Sequence, residues 1–126
     1  MRSLAFFLLV ATTACSKPSS SGSSDEPDIP VADRVQASNI FDTRCVPCHG
    51  STGSGDGPAS ASLNPKPRMF KDKSWQGSVT NEHIEKIIQY GGAAVGKSAA
   101  MPANPDLQAK PLVVKALVAR IRAFGK

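Results

Sequence analysis

Residues 45–50 read Cys-Val-Pro-Cys-His-Gly (CVPCHG), and the meaning of this stretch decides the rest of the chain. Two cysteines stand three apart, and a histidine follows the second directly. The pattern admits a metal site, a redox dithiol or a thiol pair that seats a cofactor. Structural zinc takes four ligands; His49 and His83 are the only histidines, and no second cysteine pair exists. A thioredoxin-like centre belongs in a βαβ setting, and no alternating strand pattern flanks this one. A disulfide between Cys45 and Cys48 would close a tiny loop and leave His49 without a purpose.

The C-x-x-C-H pattern itself reads as a c-type haem attachment sequence, and helical geometry agrees with it. On a helix, positions 45, 48 and 49 are i, i+3 and i+4, so the three side chains share one face. Two thiols there can form thioether bonds to haem vinyl groups while the imidazole reaches the iron. One covalent haem c also answers a deficit in composition. Beyond residue 30 the aromatic residues are only Phe41, Phe70, Trp75, Tyr90 and Phe124. That is a thin core for a domain below about 100 residues, where such domains often need a staple. A large apolar cofactor supplies it.

The 126 residues have room for one small domain. Arg2 gives a positive start, Leu4 to Ala11 form an apolar run, and Thr12, Thr13 and Ala14 lead to Cys15. Residues 1–14 therefore read as a secretory signal peptide, too short for a comfortable membrane span. Ser16 to Pro30 hold six serines, three prolines and no large apolar residue except Ile29. Such a segment cannot bury enough surface to offset its ordering entropy, so residues 15–31 are expected to form a flexible linker. The folded domain is then 32–126. Beyond residue 30, thirteen Lys and Arg face seven Asp and Glu, a net +6. This balance favours transient docking on acidic faces of redox partner proteins, with on-rates that fall as salt rises. Nucleic acid is not an expected partner of an exported haem protein.

With these residues in place, the chain resembles the class I c-type cytochromes, small haem domains that carry electrons, over nearly all of 32–126. The resemblance implies an all-α domain of three to four helices wrapped around one covalent haem. Asp33 is expected to cap a helix running to about Val46. In SVTNEHIEKIIQYGG, Thr80 reads as an N-cap, Ile84, Ile87 and Ile88 as a buried stripe, and Gly91 and Gly92 as the stop. A last helix is expected over about Pro111 to Phe124, burying Val113, Leu117, Ile121 and Phe124. The resemblance also implies that Phe41 packs on this last helix. There the family usually presents an aromatic, whereas this chain has Arg120. Either the stem of Arg120 covers the partner, or the pairing is looser.

The sixth iron ligand is open on spacing alone, between Met101, Met69, His83 and a vacant position. Met101 lies in the loop GGAAVGKSAAMPANP, and Pro102 biases it away from helical angles, which suits a ligand projected from a loop. A thioether is a soft ligand, and His/Met ligation raises the potential of haem iron. The resembling family carries its ligand in this place, often as a Met-Pro pair, so His49 and Met101 are the expected axial pair. The other readings are packing against the haem edge for Met69 and the surface for His83. The family further implies that a backbone carbonyl near a proline accepts the ring N–H of His49; Pro58 and Pro65 both qualify. Arg68, Lys71 and Trp75 are candidates to hold haem propionates.

The expected function is electron transfer, without catalytic residues, by a monomer. The other readings are a haem-based gas sensor or peroxidase-like enzyme with an open iron site, or an accessory subunit of a larger oxidoreductase. Cys15, left over by the haem, follows the apolar run and precedes the linker, in the manner of bacterial lipoprotein signals. Lipid attachment at Cys15 would anchor the domain on the periplasmic side of a bacterial membrane. Thr12 and Ala14 also fit ordinary signal cleavage, which would release a soluble periplasmic protein.

Overall fold

Ile29 is the first residue of the core, only 3% exposed, and Pro30 follows it as the N-cap of helix α1 (Val31–Ile40). The computed structural model describes residues 28–126. The expected signal peptide 1–14, Cys15 and the expected linker up to residue 27 lie outside the described residues. The packed chain thus begins at Ile29, three residues before the domain start at 32 read from the sequence. The expectation that Asp33 caps α1 is also corrected. Asp33 lies within the first turn, where a carboxylate complements the positive helix end. Pro30 takes the cap position because its backbone is already extended and the carbonyl of Pro30 accepts the Arg34 N–H at 3.1 Å.

The helix does not stop near Val46. It widens into a π-helical turn over Phe41–Cys45 and continues as α2 (Val46–His49). Pro47 explains the widening. It has no N–H to offer the carbonyl four residues back, that of Thr43, and its ring would press on that group in a regular helix. The Thr43 hydroxyl bonds back to the Asn39 carbonyl at 2.7 Å, which further loosens the ladder locally.

After a long loop come α3 (Lys73–Ser78), α4 (Asn81–Tyr90) and α5 (Pro111–Ala123). Helix α4 has the expected ends. The Thr80 hydroxyl accepts the His83 N–H at 3.2 Å, and Gly91 terminates the helix at φ +80°, a value that favours glycine. Helix α5 starts with Pro111 at its first position and buries Val113, Val114, Ala116, Leu117, Val118 and Ile121, a broader face than the expected stripe. Phe124 lies just past its end and is partly exposed.

Helix α3 has no counterpart in the sequence reading. Six residues including Gly77 cannot sustain a helix on propensity, so its ends are held from outside. The Asp72 carboxylate caps Ser74 and Trp75 N–H at 3.0 and 3.2 Å. From α5, Arg122 donates to the Gln76 and Val79 carbonyls at 2.6 Å each and to Asn81 Oδ1 at 2.8 Å.

Helices α1 and α4 both pack on α5, and no strand occurs among the described residues. The fold is all-α. Phe41 is fully buried, and the guanidinium carbon of Arg120 lies 4.4 Å from its ring centroid. Arg120 also donates to Ser38 Oγ at 2.7 Å and Asp42 Oδ1 at 2.8 Å. A cation–π contact backed by two hydrogen bonds replaces the aromatic, so the helix pairing is not loosened. No helix among the described residues is long and apolar enough to cross a membrane.

Candidate functional site

The helical run that ends at His49 carries Cys45, Cys48 and His49 in sequence. Gly50, at φ +76°, turns the chain away immediately after the histidine. A side chain at Gly50 would collide with the Asp56 carboxylate, and one at Gly57 with the Val46 and Pro47 carbonyls. The loop therefore folds back on α2 and satisfies its end: Gly55 N–H donates to the His49 carbonyl at 2.8 Å and Gly57 N–H to that of Cys48 at 3.2 Å. These carbonyls would otherwise be orphans of the helix terminus.

This loop positions a second one. Phe70 N–H donates to the Gly53 carbonyl at 2.7 Å. A Cβ on Gly55 would approach the Pro67 carbonyl to 2.7 Å. Between those two contacts stands the Arg68 carbonyl, which accepts the Nδ1–H of His49 at 3.1 Å. The acceptor is thus neither Pro58 nor Pro65. It belongs to the residue after Pro67, because the pairing of loops 53–57 and 67–70 brings that carbonyl over the ring. A carbonyl only accepts, so the proton is on Nδ1 and Nε2 keeps its lone pair. His49 is 9% exposed. Burial lowers its pKa, and the Arg68 bond opposes that shift. The neutral imidazole is the form that ligates a metal.

Aromatic packing fixes the ring plane. Phe70 stacks on His49 with centroids 4.4 Å apart and planes 16° apart. Phe70 in turn meets Trp75 at 5.7 Å, Phe124 at 6.1 Å and Phe41 at 6.4 Å. Gln76 Nε2 donates to both the Phe70 and Ile121 carbonyls, at 2.8 and 2.9 Å, tying this cluster to α5.

Cys45 and Cys48 are free thiols of intermediate exposure. Burial pushes the Cys45 thiol up to about 11, against the pull of neighbouring Arg44 and Arg120. Its sulfur therefore keeps its proton at neutral pH, and Cys45 and Cys48 are the residues that would hold a haem through its vinyl groups. Two thiols beside a neutral imidazole with Nε2 free form a donor set that suits haem c.

The remaining sequence candidates are more scattered. Met101 is partly exposed, and its carbonyl accepts the Gly92 N–H at 3.0 Å, which holds it beside the end of α4. Met69 is 48% exposed, and His83 is partly exposed in the first turn of α4. Arg68 lies 5.9 Å from the Trp75 ring centroid and 3.8 Å from Asp72, whereas Lys71 is exposed. The residues that sequence reasoning missed are Gly53, Gly55, Gly57 and Phe70. Three glycines at alternate positions, beginning four residues after the histidine, were the available signal.

A family model described as cytochrome c matches residues 35–122. No curated protein and no solved structure matches the chain.

Proposed function

The chain belongs to the cytochrome c family, and from that premise we propose that it is a His/Met-ligated electron carrier, exported and tethered to a membrane. Its cofactor is haem c, for which the chain has one attachment site, Cys45, Cys48 and His49, and haem-based electron transfer is the activity that this family supports. The haem, when bound, supplies the redox chemistry; the chain binds it, orients it and tunes it. The observation that carries the reading is the His49–Arg68 bond, since it leaves Nε2 as the ring's free donor toward iron. A hydrogen-bonded imidazole is also a more basic ligand.

Met101 supplies the sixth ligand in this reading, from a loop held by its own backbone. Cys45 and Cys48 bear the thioethers, so haem stays with the chain in acid acetone. The expected outcome is that the oxidised protein shows the weak near-infrared sulfur-to-iron band and that Met101→Ala abolishes it. Persistence of that band in the variant, or rapid carbon monoxide binding to the reduced wild-type protein at neutral pH, would defeat the assignment; the second result would favour a gas sensor.

Cys15 carries lipid in this proposal and holds the domain, as a monomer, on the periplasmic side of a bacterial membrane. Acidic faces of membrane-bound redox partners suit the basic domain. Mass spectrometry of the mature N-terminus checks the anchor, and an unmodified Cys15 removes it.

A further inference from the structure

Arg44 stands immediately before Cys45, yet its side chain leaves the attachment helix. Nη1 donates to Asn104 Oδ1 at 3.1 Å and to Asp106 Oδ1 at 2.9 Å, and Nη2 donates to Asp106 Oδ2 at 3.1 Å. The bidentate half of that arrangement is a geometry suited to a planar guanidinium and not to an ammonium. Asn104 is fixed from its other side. Its Nδ2 donates to the Ile88 carbonyl at 2.8 Å and its backbone N–H to the Gln89 carbonyl at 3.0 Å.

Three residues earlier, the Met101 carbonyl receives the Gly92 N–H, and a Cβ on Gly91 would meet that same carbonyl at 2.9 Å. The loop is therefore stitched along the last turn of α4. Among the hydrogen bonds of the described residues, those of Arg44 join residues 101–107 to the helical run 31–49. Nothing in the attachment motif itself provides that link.

We propose that Arg44 is a positioning residue for the sixth iron ligand: through Asn104 and Asp106 it holds the loop bearing Met101 to the helix bearing Cys45, Cys48 and His49, and so slows departure of the methionine. The inference rests on Met101 being that ligand. A haem bonded to the helix moves with the helix, so the sulfur stays within reach only while loop and helix keep their relative place. The Arg44 and Asp106 side chains are 44% and 47% exposed. A lone pair so exposed is worth little, and the fork with its second acceptor puts the expected effect at about fivefold.

The test compares ferric holoprotein of the wild type, Asp106→Ala and Arg44→Lys. Asp106→Ala leaves the residues around Cys45 untouched, so attachment of haem is not at stake in it. Hydrogen exchange is read at the Gly92 and Asn104 amides, with Val114 in α5 as internal reference. The second readout is the rate at which excess imidazole bleaches the sulfur-to-iron band. Both rates rise about fivefold in Asp106→Ala, less in Arg44→Lys, while Val114 exchange is unchanged. Unchanged exchange and bleaching in Asp106→Ala overturn the proposal. A wild-type protein with no sulfur-to-iron band to bleach defeats the ligand reading instead, and with it the role of Arg44 toward the iron. Faster loop exchange in Asp106→Ala would then identify the bridge as purely structural.

Discussion

The histidine side and the methionine side of this molecule are held by different physics. His49 is buried, its ring lies flat on Phe70, and its one N–H is spent on a carbonyl fixed by two interlocked loops. The loop 91–104 contains mostly small residues that face solvent, with Lys97 its only charge. It is kept in place by backbone bonds to α4 and by the surface fork of Arg44. Packing in a core is hard to undo locally, whereas hydrogen bonds at a surface open readily. With Met101 as the proposed sixth ligand, the histidine is therefore built to stay and the methionine is built to be exchangeable, which makes the methionine side the place where tuning is easiest.

The most severe way to break this contrast is Phe70→Ala. It removes the ring that stacks on His49 and also meets Trp75, Phe124 and Phe41. The expected loss is about 3–5 kcal/mol of stability, measured by denaturant unfolding of the holoprotein. A loss below about 1 kcal/mol would mean that the aromatic cluster does not hold the histidine side.

Gly55→Ala acts on the same side with less force. The residue sits at φ +74°, and the added Cβ would press on the Pro67 carbonyl. Strain of that sort costs about 1–3 kcal/mol, and relief moves the neighbouring Arg68 carbonyl off the His49 N–H. A less basic imidazole stabilises oxidised iron less, so the reduction potential rises. Voltammetry checks the direction, and an unchanged potential would show that the carbonyl is positioned by something other than the 53–57 loop.

Arg120→Met sharpens the comparison from the contact between α1 and α5. The variant keeps an apolar stem over Phe41 but loses the cation and the bonds to Ser38 and Asp42. About 1 kcal/mol of stability is lost, with the sulfur-to-iron band unchanged. A shifted band would mean that the α1–α5 pairing reaches the methionine side after all.

Legibility followed the range of the interactions. Helices α4 and α5 were readable because Thr80, Gly91, Pro111 and the buried apolar residues act within a turn or two of themselves. The haem-attachment residues were readable for the same reason, being one contiguous motif. Asp33 misled because an acid in the first turn and a capping acid look alike in sequence; the extended backbone of Pro30 and its bond from the Arg34 N–H identify the cap. Helix α3 was invisible because its carbonyls are satisfied by Arg122, more than forty residues away in the chain. The acceptor for His49 was missed on the same ground: the Arg68 carbonyl is placed by loop-to-loop contacts that no local pattern records.

Ile29 also marks where the chain can be cut. A preparation shortened to begin at Val31 would lose a side chain that is 3% exposed. It would also lose the Pro30 carbonyl that accepts the Arg34 N–H, a bond at the start of α1. The shortest chain that keeps the whole described core therefore starts no later than Asp28. A protease acting before that residue releases an intact haem domain, while one acting three bonds further on releases a domain with a frayed first helix.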